Sequence, residues 1–343
     1  LCNVTVHSGE TVRGLKRAVE RLTQMTQNEQ RLIYGGTELA DDALVSAIRA
    51  GGSSEITLVR RPLQQAQWLD RVEKDGRLLR EAPPEITADR DVVLRAVRQS
   101  GVGAFSCAAE ELKADRQILL AALRADGAHI GGSFKLASAQ LRADREVTLI
   151  AAEKDWSVLR HTTEGLQNDR DVVLAALRRC WMALESASAD LRADHAIVSV
   201  ALQQSGDALE YAAATLQAER GLVLAAVTKN GCALRHASAD LRADHDLVMA
   251  AIKSDKSAFR FAAAQLHADH GFVAAALRND WRVLQHAPEA VRGDREAVLI
   301  AIWQHGGALE WADPSLRADK EVVEQAMRQN LVALEYASPE LRA

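Results

Sequence analysis

The chain has 343 residues, 48% hydrophobic and 26% charged, with a formal net charge of −5. That balance argues against a general nucleic-acid binder, and no apolar run approaches the ~18 residues that a membrane helix needs. The low aromatic content of 4%, beside abundant Ala and Leu, fits a helical array. Cys2, Cys107, Cys180 and Cys232 show neither CxxC nor disulfide-framework spacing. They read as free thiols of a reducing compartment, cytoplasmic by default. The chain opens on Leu1 rather than Met, so its N-terminus reads as processed or incomplete, which leaves an organelle open.

Residues 1–61 stand apart from the rest of the chain. Leu1, Asn3, Val4 and Val6 suggest a strand. Thr11 can cap a helix whose apolar positions, Val12, Leu15, Val19 and Leu22, fall at helical spacing. Residues 31–34 read as a strand, Gly35-Gly36 as a turn, 43–48 as a brief helical piece and 55–60 (EITLVR) as a last strand. Strand, helix and strands in that order predict a sheet grasping a helix. The segment QRLIYGGTELADD (30–42), followed by SSEITLVRR, resembles the second half of the ubiquitin-like family. The family's first strand is missing, and Arg60-Arg61-Pro62 stands where a Gly-Gly tail would follow, which argues against conjugation. By this resemblance, Ile33, Thr57 and Val59 fall where the family carries its partner-binding patch. The plainer reading makes them residues that cover the sheet or dock on the next element.

Residues 62–88 read as a bridge and a degenerate capping repeat. Pro62, Pro83 and Pro84 punctuate it, while Trp68, Leu69, Val72, Leu78, Leu79 and Ile86 sit near repeat positions. From residue 89 to 343 a strict repeat takes over. Ten units open at Asp89, Asp115, Asp144, Asp169, Asp194, Glu219, Asp244, Asp269, Asp294 and Asp319, so the period is 25 residues from Asp144 onward. With the acidic residue as position 1, positions 4, 5, 8 and 9 are apolar (Leu247, Val248, Ala251, Ile252), one stripe of a helix that position 1 caps. Positions 12 and 13 break it (Ser205-Gly206, Asn230-Gly231, His305-Gly306). A second, shorter helix carries apolar positions 15, 16 and 19. Ser or Pro at position 20 and Leu at 23 then read as a cap and one short helical turn. In the unit of Asp115 the extra residues fall at 127–132 and should bulge from one edge.

Twenty-five residues cannot enclose a core, whereas stacked copies can, each closing its neighbour's apolar face. The expected fold is mainly α: an α-solenoid of ~25-residue helical repeats behind a small α+β ubiquitin-like (β-grasp) domain. The pattern D-R-x-V-V-L-x-A-V, then A-L-x-x-A-S, then L-R, resembles a family of short α-helical repeats of unknown function. Such repeats occur in single-celled eukaryotes and some bacteria, and the resemblance implies a fold without an activity.

No catalytic, cofactor or metal site emerges. Asp194-His195, Asp244-His245 and Asp269-His270 look like acid–base pairs, but each Asp already has a capping role and no nucleophile recurs at a fixed offset. Equivalent His residues one repeat apart should lie about 10 Å from each other, too far for one zinc ion, whose ligands sit ~2 Å from it. GAHIGGSFK (127–135) lacks the ending of a phosphate loop.

Two ladders remain. Position 18 carries His161, Ser186, Tyr211, His236, Phe261, His286, Trp311 and Tyr336, and position 13 adds Trp156, Trp181 and Trp281. These rings either seal seams between repeats or form an exposed strip that docks a partner. Positions 24 and 2 give a basic ladder: Arg142, Arg145, Arg192, Arg242, Arg292, Arg295, Arg317 and Lys320. It reads chiefly as structural salt bridges, and otherwise as a track for a phosphate backbone.

The chain is therefore expected to be a non-enzymatic scaffold for other proteins, or a subunit of a large multi-subunit complex. A ubiquitin-pathway adaptor and a nucleic-acid binder are the alternatives.

Overall fold

The computed structural model describes residues 9–46, 55–125 and 130–343, which form two compact units, Leu1–His161 and Thr162–Ala343. The strand expected near residues 1–6, Cys2, the end of the helical piece at 47–48 and the insertion at 127–129 lie outside the described residues.

The first unit begins with a helix packed on a small sheet. Thr11 caps α1 (Val12–Thr23) by accepting from the Gly14 N–H at 3.4 Å. α1 lays Val12, Leu15 and Val19 against Leu32 and Val45, which gives the domain its core. Leu22 does not join them. It lies one residue from the helix end and is 59% exposed. The sheet has the order β2-β1-β3, antiparallel throughout: β1 (Gln30–Tyr34), β2 (Thr37–Glu38) and β3 (Thr57–Arg60). Gly35 and Gly36, at φ 56 and 82, make the turn between β1 and β2, where a side chain would be strained.

The stretch after β3, read as a bridge and degenerate capping repeat, carries the elements of a repeat. It holds α2 (Leu63–Lys74), a 3-10 helix (Gly76–Glu81) and a short turn (Pro84–Thr87). The unit of Asp89 absorbs its extra residue at Gly101, whose φ of 50 ends the helix Arg90–Ser100.

The second unit shows the repeat at its most regular. In the unit of Asp244 the carboxylate accepts from the Leu247 N–H at 2.9 Å and opens the helix His245–Ser254. Leu247, Val248, Ala251 and Ile252 are fully buried. Asp255 then turns extended (φ −149), which stops the helix, and its side chain caps the next element through the Ser257 N–H at 2.9 Å. One residue at position 12 thus closes one helix and opens another. Ser205, Asn230, Asp280, His305 and Asn330 do the same. The second helix is a six-residue 3-10 helix, Lys256–Phe261 here, with Ala258 and Phe259 fully buried. A four- or five-residue helical turn or a 3-10 turn completes each unit.

Neighbours are stitched by three kinds of contact. The position-20 N–H donates to the position-24 carbonyl of the preceding repeat: Ala213 to Arg192 at 2.8 Å, Ser238 to Gln217 at 2.9 Å, Ala263 to Arg242 at 2.8 Å, Asp313 to Arg292 at 2.9 Å and Ser338 to Arg317 at 2.8 Å. Position-11 side chains reach carbonyls at the end of the preceding long helix, as Gln304 does to Leu277 at 2.7 Å and Ser254 to Thr228 at 3.2 Å. Those carbonyls have no partner within their own helix. Position 13 makes the third contact. The break glycines do not supply positive φ there. Gly206, Gly231 and Gly306 press against the carbonyls of Ala226, Ala251 and Ala326, where a Cβ would collide. Among the described residues of each unit, the helical repeats pack chiefly on their sequence neighbours, the arrangement of an α-solenoid.

Candidate partner-binding surfaces

On the sheet of the first unit, the residues expected to form a patch meet on one face. Ile33 and Thr57 are directly paired across β1 and β3, and Val59 lies two residues along β3 on the same side. Ile33 is half-buried, Thr57 is exposed and Val59 is 37% exposed. The domain meets the first repeats through its polar loops. Arg61, only 7% exposed, binds the carboxylates of Glu38 and Asp91, the latter at 2.6 Å. Lys16 holds Asp41 at 2.7 Å, Arg95 lies 3.5 Å from the same carboxylate, and Arg95 also reaches Glu73 at 3.1 Å. Burial is the largest single influence on the Asp41 carboxyl and pushes it up, but the Lys16 ammonium and the arginines around it together hold it below its usual range. A cleft of about 790 Å³ lies among these groups, lined by both signs of charge.

The basic ladder divides into two physically different rows. Position 2 pairs forward with position 1 of the next repeat: Arg90 with Asp115 at 2.6 Å, Arg170 with Asp194 at 2.5 Å, Arg220 with Asp244 at 2.9 Å and Arg295 with Asp319 at 3.5 Å. The His residues at position 2 follow the same rule: His195 faces Glu219 at 3.2 Å, His245 faces Asp269 at 3.5 Å and His270 faces Asp294 at 3.1 Å. None of these His residues takes as its partner the Asp that precedes it in sequence. An acidic cap such as Asp244 therefore does two jobs, and the Arg220 side chain is the largest influence that lowers its carboxyl. Among the described residues no cluster of His, Cys, Asp and Glu could hold a metal ion.

Position 24 behaves differently. Arg142, Arg192, Arg242, Arg292 and Arg317 are half-buried, and the enclosed Nε of each meets no acceptor among the described residues. Among those residues, too, no carboxylate lies within 4.0 Å of the Arg192, Arg242, Arg292 or Arg317 guanidinium. Where position 24 is uncharged it folds back onto its own repeat: Gln217 donates to the Leu209 carbonyl at 3.0 Å, and His267 lies 2.8 Å from that of Phe259. Reading positions 2 and 24 as one ladder hid this contrast. A signal was nevertheless present. Nineteen residues after Arg192, Arg242, Arg292 and Arg317 stand Tyr211, Phe261, Trp311 and Tyr336, whereas Ser186, His236 and His286 follow Gln167, Gln217 and His267.

The position-18 strip is neither sealed nor open. Tyr211, His236, Phe261, His286, Trp311 and Tyr336 are all half-buried. Tyr211 tilts against Trp181 of the preceding repeat at 6.0 Å between centroids, and Arg260 lies 4.8 Å over the Phe261 ring. Burial is the main cause lowering His236 and His286 from their ordinary value, with Arg235 and Arg260 respectively adding to it. Of the position-13 rings, Trp281 stacks on His305 of the next repeat at 4.6 Å and 8°, which is a seam contact.

The family model described as a domain of unknown function (DUF4116) matches residues 69–113, 144–192, 169–217, 220–266 and 294–342. Together these cover well over half the chain, and each match spans about two of the units. The ubiquitin family model matches residues 1–63. Similar proteins include Ubiquitin-like protein 4A of Oryctolagus cuniculus, 32% identical over 83 residues (24% of this chain, 51% of the relative). Ubiquitin-like protein 4A-A of Salmo salar is 38% identical over 61 residues (18% and 40%), and Ubiquitin-like protein 4B of Bos taurus is 34% identical over 64 residues (19% and 39%). The chain thus spans about half or less of the length of these relatives. No solved structure matches.

Proposed function

Since the chain belongs to the DUF4116 family, with a ubiquitin-family domain ahead of its repeats, we propose that it is a non-catalytic protein–protein interaction scaffold or a structural subunit of a larger assembly. The observation that carries this reading is the half-buried strip at position 18. The apolar positions 4, 5, 8, 15 and 16 are consumed by stacking, yet Tyr211, Phe261 and Trp311 keep part of each ring accessible in every second repeat, the residue types that anchor protein interfaces. Phe259, by contrast, is fully enclosed.

A second reading, an adaptor in the ubiquitin pathway, is favoured by the convergence of Ile33, Thr57 and Val59 on one sheet face. The nucleic-acid reading loses the position-2 part of its ladder, whose cations already have acidic partners, and keeps the position-24 row.

The test is affinity purification of the full chain with cross-linking. A Phe261→Ala/Trp311→Ala pair should release the main partner if the strip binds it, whereas Ile33→Ala/Val59→Ala should do so if the sheet face binds it. Partners unchanged by both pairs would sink both surfaces.

A further inference from the structure

The position-24 arginines are tied through their backbone to the repeat that carries the next aromatic residue. The carbonyls of Arg242 and Arg292 receive bonds from Ala263 and Asp313 at position 20 of the next repeat, two residues after position 18. The Arg242 backbone is thereby tied two residues from Phe261, and that of Arg292 two residues from Trp311. In the first unit the equivalent Arg142 reaches the His161 carbonyl at 3.4 Å. Arg260, exposed over the Phe261 ring, adds a third cation, and its charge is felt at His286 in the following repeat.

Among the described residues, Arg242, Arg260 and Arg292 have no carboxylate within 4.0 Å. Several other cations of the array have acidic partners: Arg220 pairs forward with Asp244 at 2.9 Å, Arg235 lies 3.6 Å from Asp207, and Lys256 lies 3.5 Å from Asp280. Arg292 has no carboxylate within 4.0 Å, though its charge helps to lower the Asp313 carboxyl of the next repeat. Arginines with no bound carboxylate, set along an aromatic strip, are suited to carboxylates, which arginine can hold with two parallel bonds.

We propose that the strip running from Arg242 past Phe261 and His286 to Arg292 binds an extended acidic segment of a partner protein. This rests on the scaffold reading above and names the partner's chemistry. Carboxylates of the segment sit on Arg242, Arg260 and Arg292, and its backbone or apolar side chains lie on Phe261 and Trp311. Arg242 and Arg292 are two repeats apart, or about 20 Å at ~10 Å per packed repeat. An extended chain covers that in about six residues at ~3.3 Å each. One short acidic stretch therefore spans the row.

The test uses the full chain and a fluorescein-labelled 12-residue peptide of alternating Glu and Ser, read by fluorescence anisotropy at low salt. The Lys-for-Glu peptide and a 12-nucleotide single-stranded RNA are run beside it. The acidic peptide should bind and the lysine peptide should not. Arg242→Gln/Arg260→Gln/Arg292→Gln should weaken binding at least tenfold, and the triple Lys variant should recover part of the loss. If the triple Gln variant melts early, Arg260→Gln alone, at an exposed position, should still weaken binding about threefold. Affinity unchanged by these substitutions overturns the proposal, as does RNA binding tighter than the peptide. Should the acidic peptide fail while partner capture still depends on Phe261 and Trp311, the acidic chemistry is overturned and the scaffold reading stands.

Discussion

The acidic residue that opens each repeat carries more than its capping role. Asp244 accepts from the Leu247 N–H and also receives Arg220 from the preceding repeat, so one carboxylate joins a helix to its neighbour. Asp244→Ala should cost about 1–2 kcal/mol, and Asp244→Asn, which keeps the cap, noticeably less. Urea unfolding of both variants checks this. Among the described residues of the second unit, Glu219 is the one position-1 residue without a side-chain cap bond, its chain being one methylene longer. Glu219→Asp should therefore raise stability by about 0.5–1 kcal/mol.

His286 gives a pH prediction. Burial lowers its folded value below the unfolded value near 6.5. The unfolded chain then holds more protons at mildly acid pH, so the stability His286 contributes is present above about 6.5 and is lost as pH falls through the folded value. Between pH 7.5 and 5.5, His286→Gln should lose less stability than the parent, as followed by thermal melts.

At the scale of the element, two glycines ten residues apart face opposite fates. Gly231 opens a 3-10 helix and lies against the Ala251 carbonyl, so Gly231→Ala forces a collision between repeats and should cost several kcal/mol. Gly221 lies exposed in the helix Arg220–Lys229 with nothing near its missing Cβ, and Gly221→Ala should add about 0.5–1 kcal/mol. Chemical denaturation of the two variants side by side separates close approach from helix propensity.

The position-12 residues show what was legible at this scale. A helix break was readable at 12–13 from Ser-Gly and Asn-Gly pairs. That the break residue caps the second helix, and that this helix is 3-10 rather than α, was not. Both follow from six residues having to turn back onto the long helix, a constraint that arises only in the stack.

At the scale of the whole molecule, stability is a sum of neighbour contacts in each unit. Leu234 is fully buried and its repeat packs on the ones before and after it. Leu234→Ala should cost about 2–5 kcal/mol. In hydrogen exchange the loss of protection should centre on residues 206–261 and leave α1 and β1 of the first unit as they were. Protection lost uniformly over all 343 residues would contradict the neighbour-sum picture. The ubiquitin-like domain adds non-repetitive contacts, among them those of Arg61. Arg61→Ala leaves Glu38 and Asp91 without their shared cation and should cost about 1–3 kcal/mol, with faster exchange in β1 and β2.

The period, the phase marker, the apolar stripe and the ubiquitin-like pattern were legible in the linear order of residues, because helical and strand periodicities are local and 25-residue copies repeat them without slip. Which surfaces remain open depended on the tertiary structure. The arginines at positions 2 and 24 have the same side chain, and only the placement of the next repeat's acidic cap gives one row its partners and leaves the other without. Pairing across repeats is a distance in space between residues 19 to 25 apart in the chain, and residue type alone does not carry that distance.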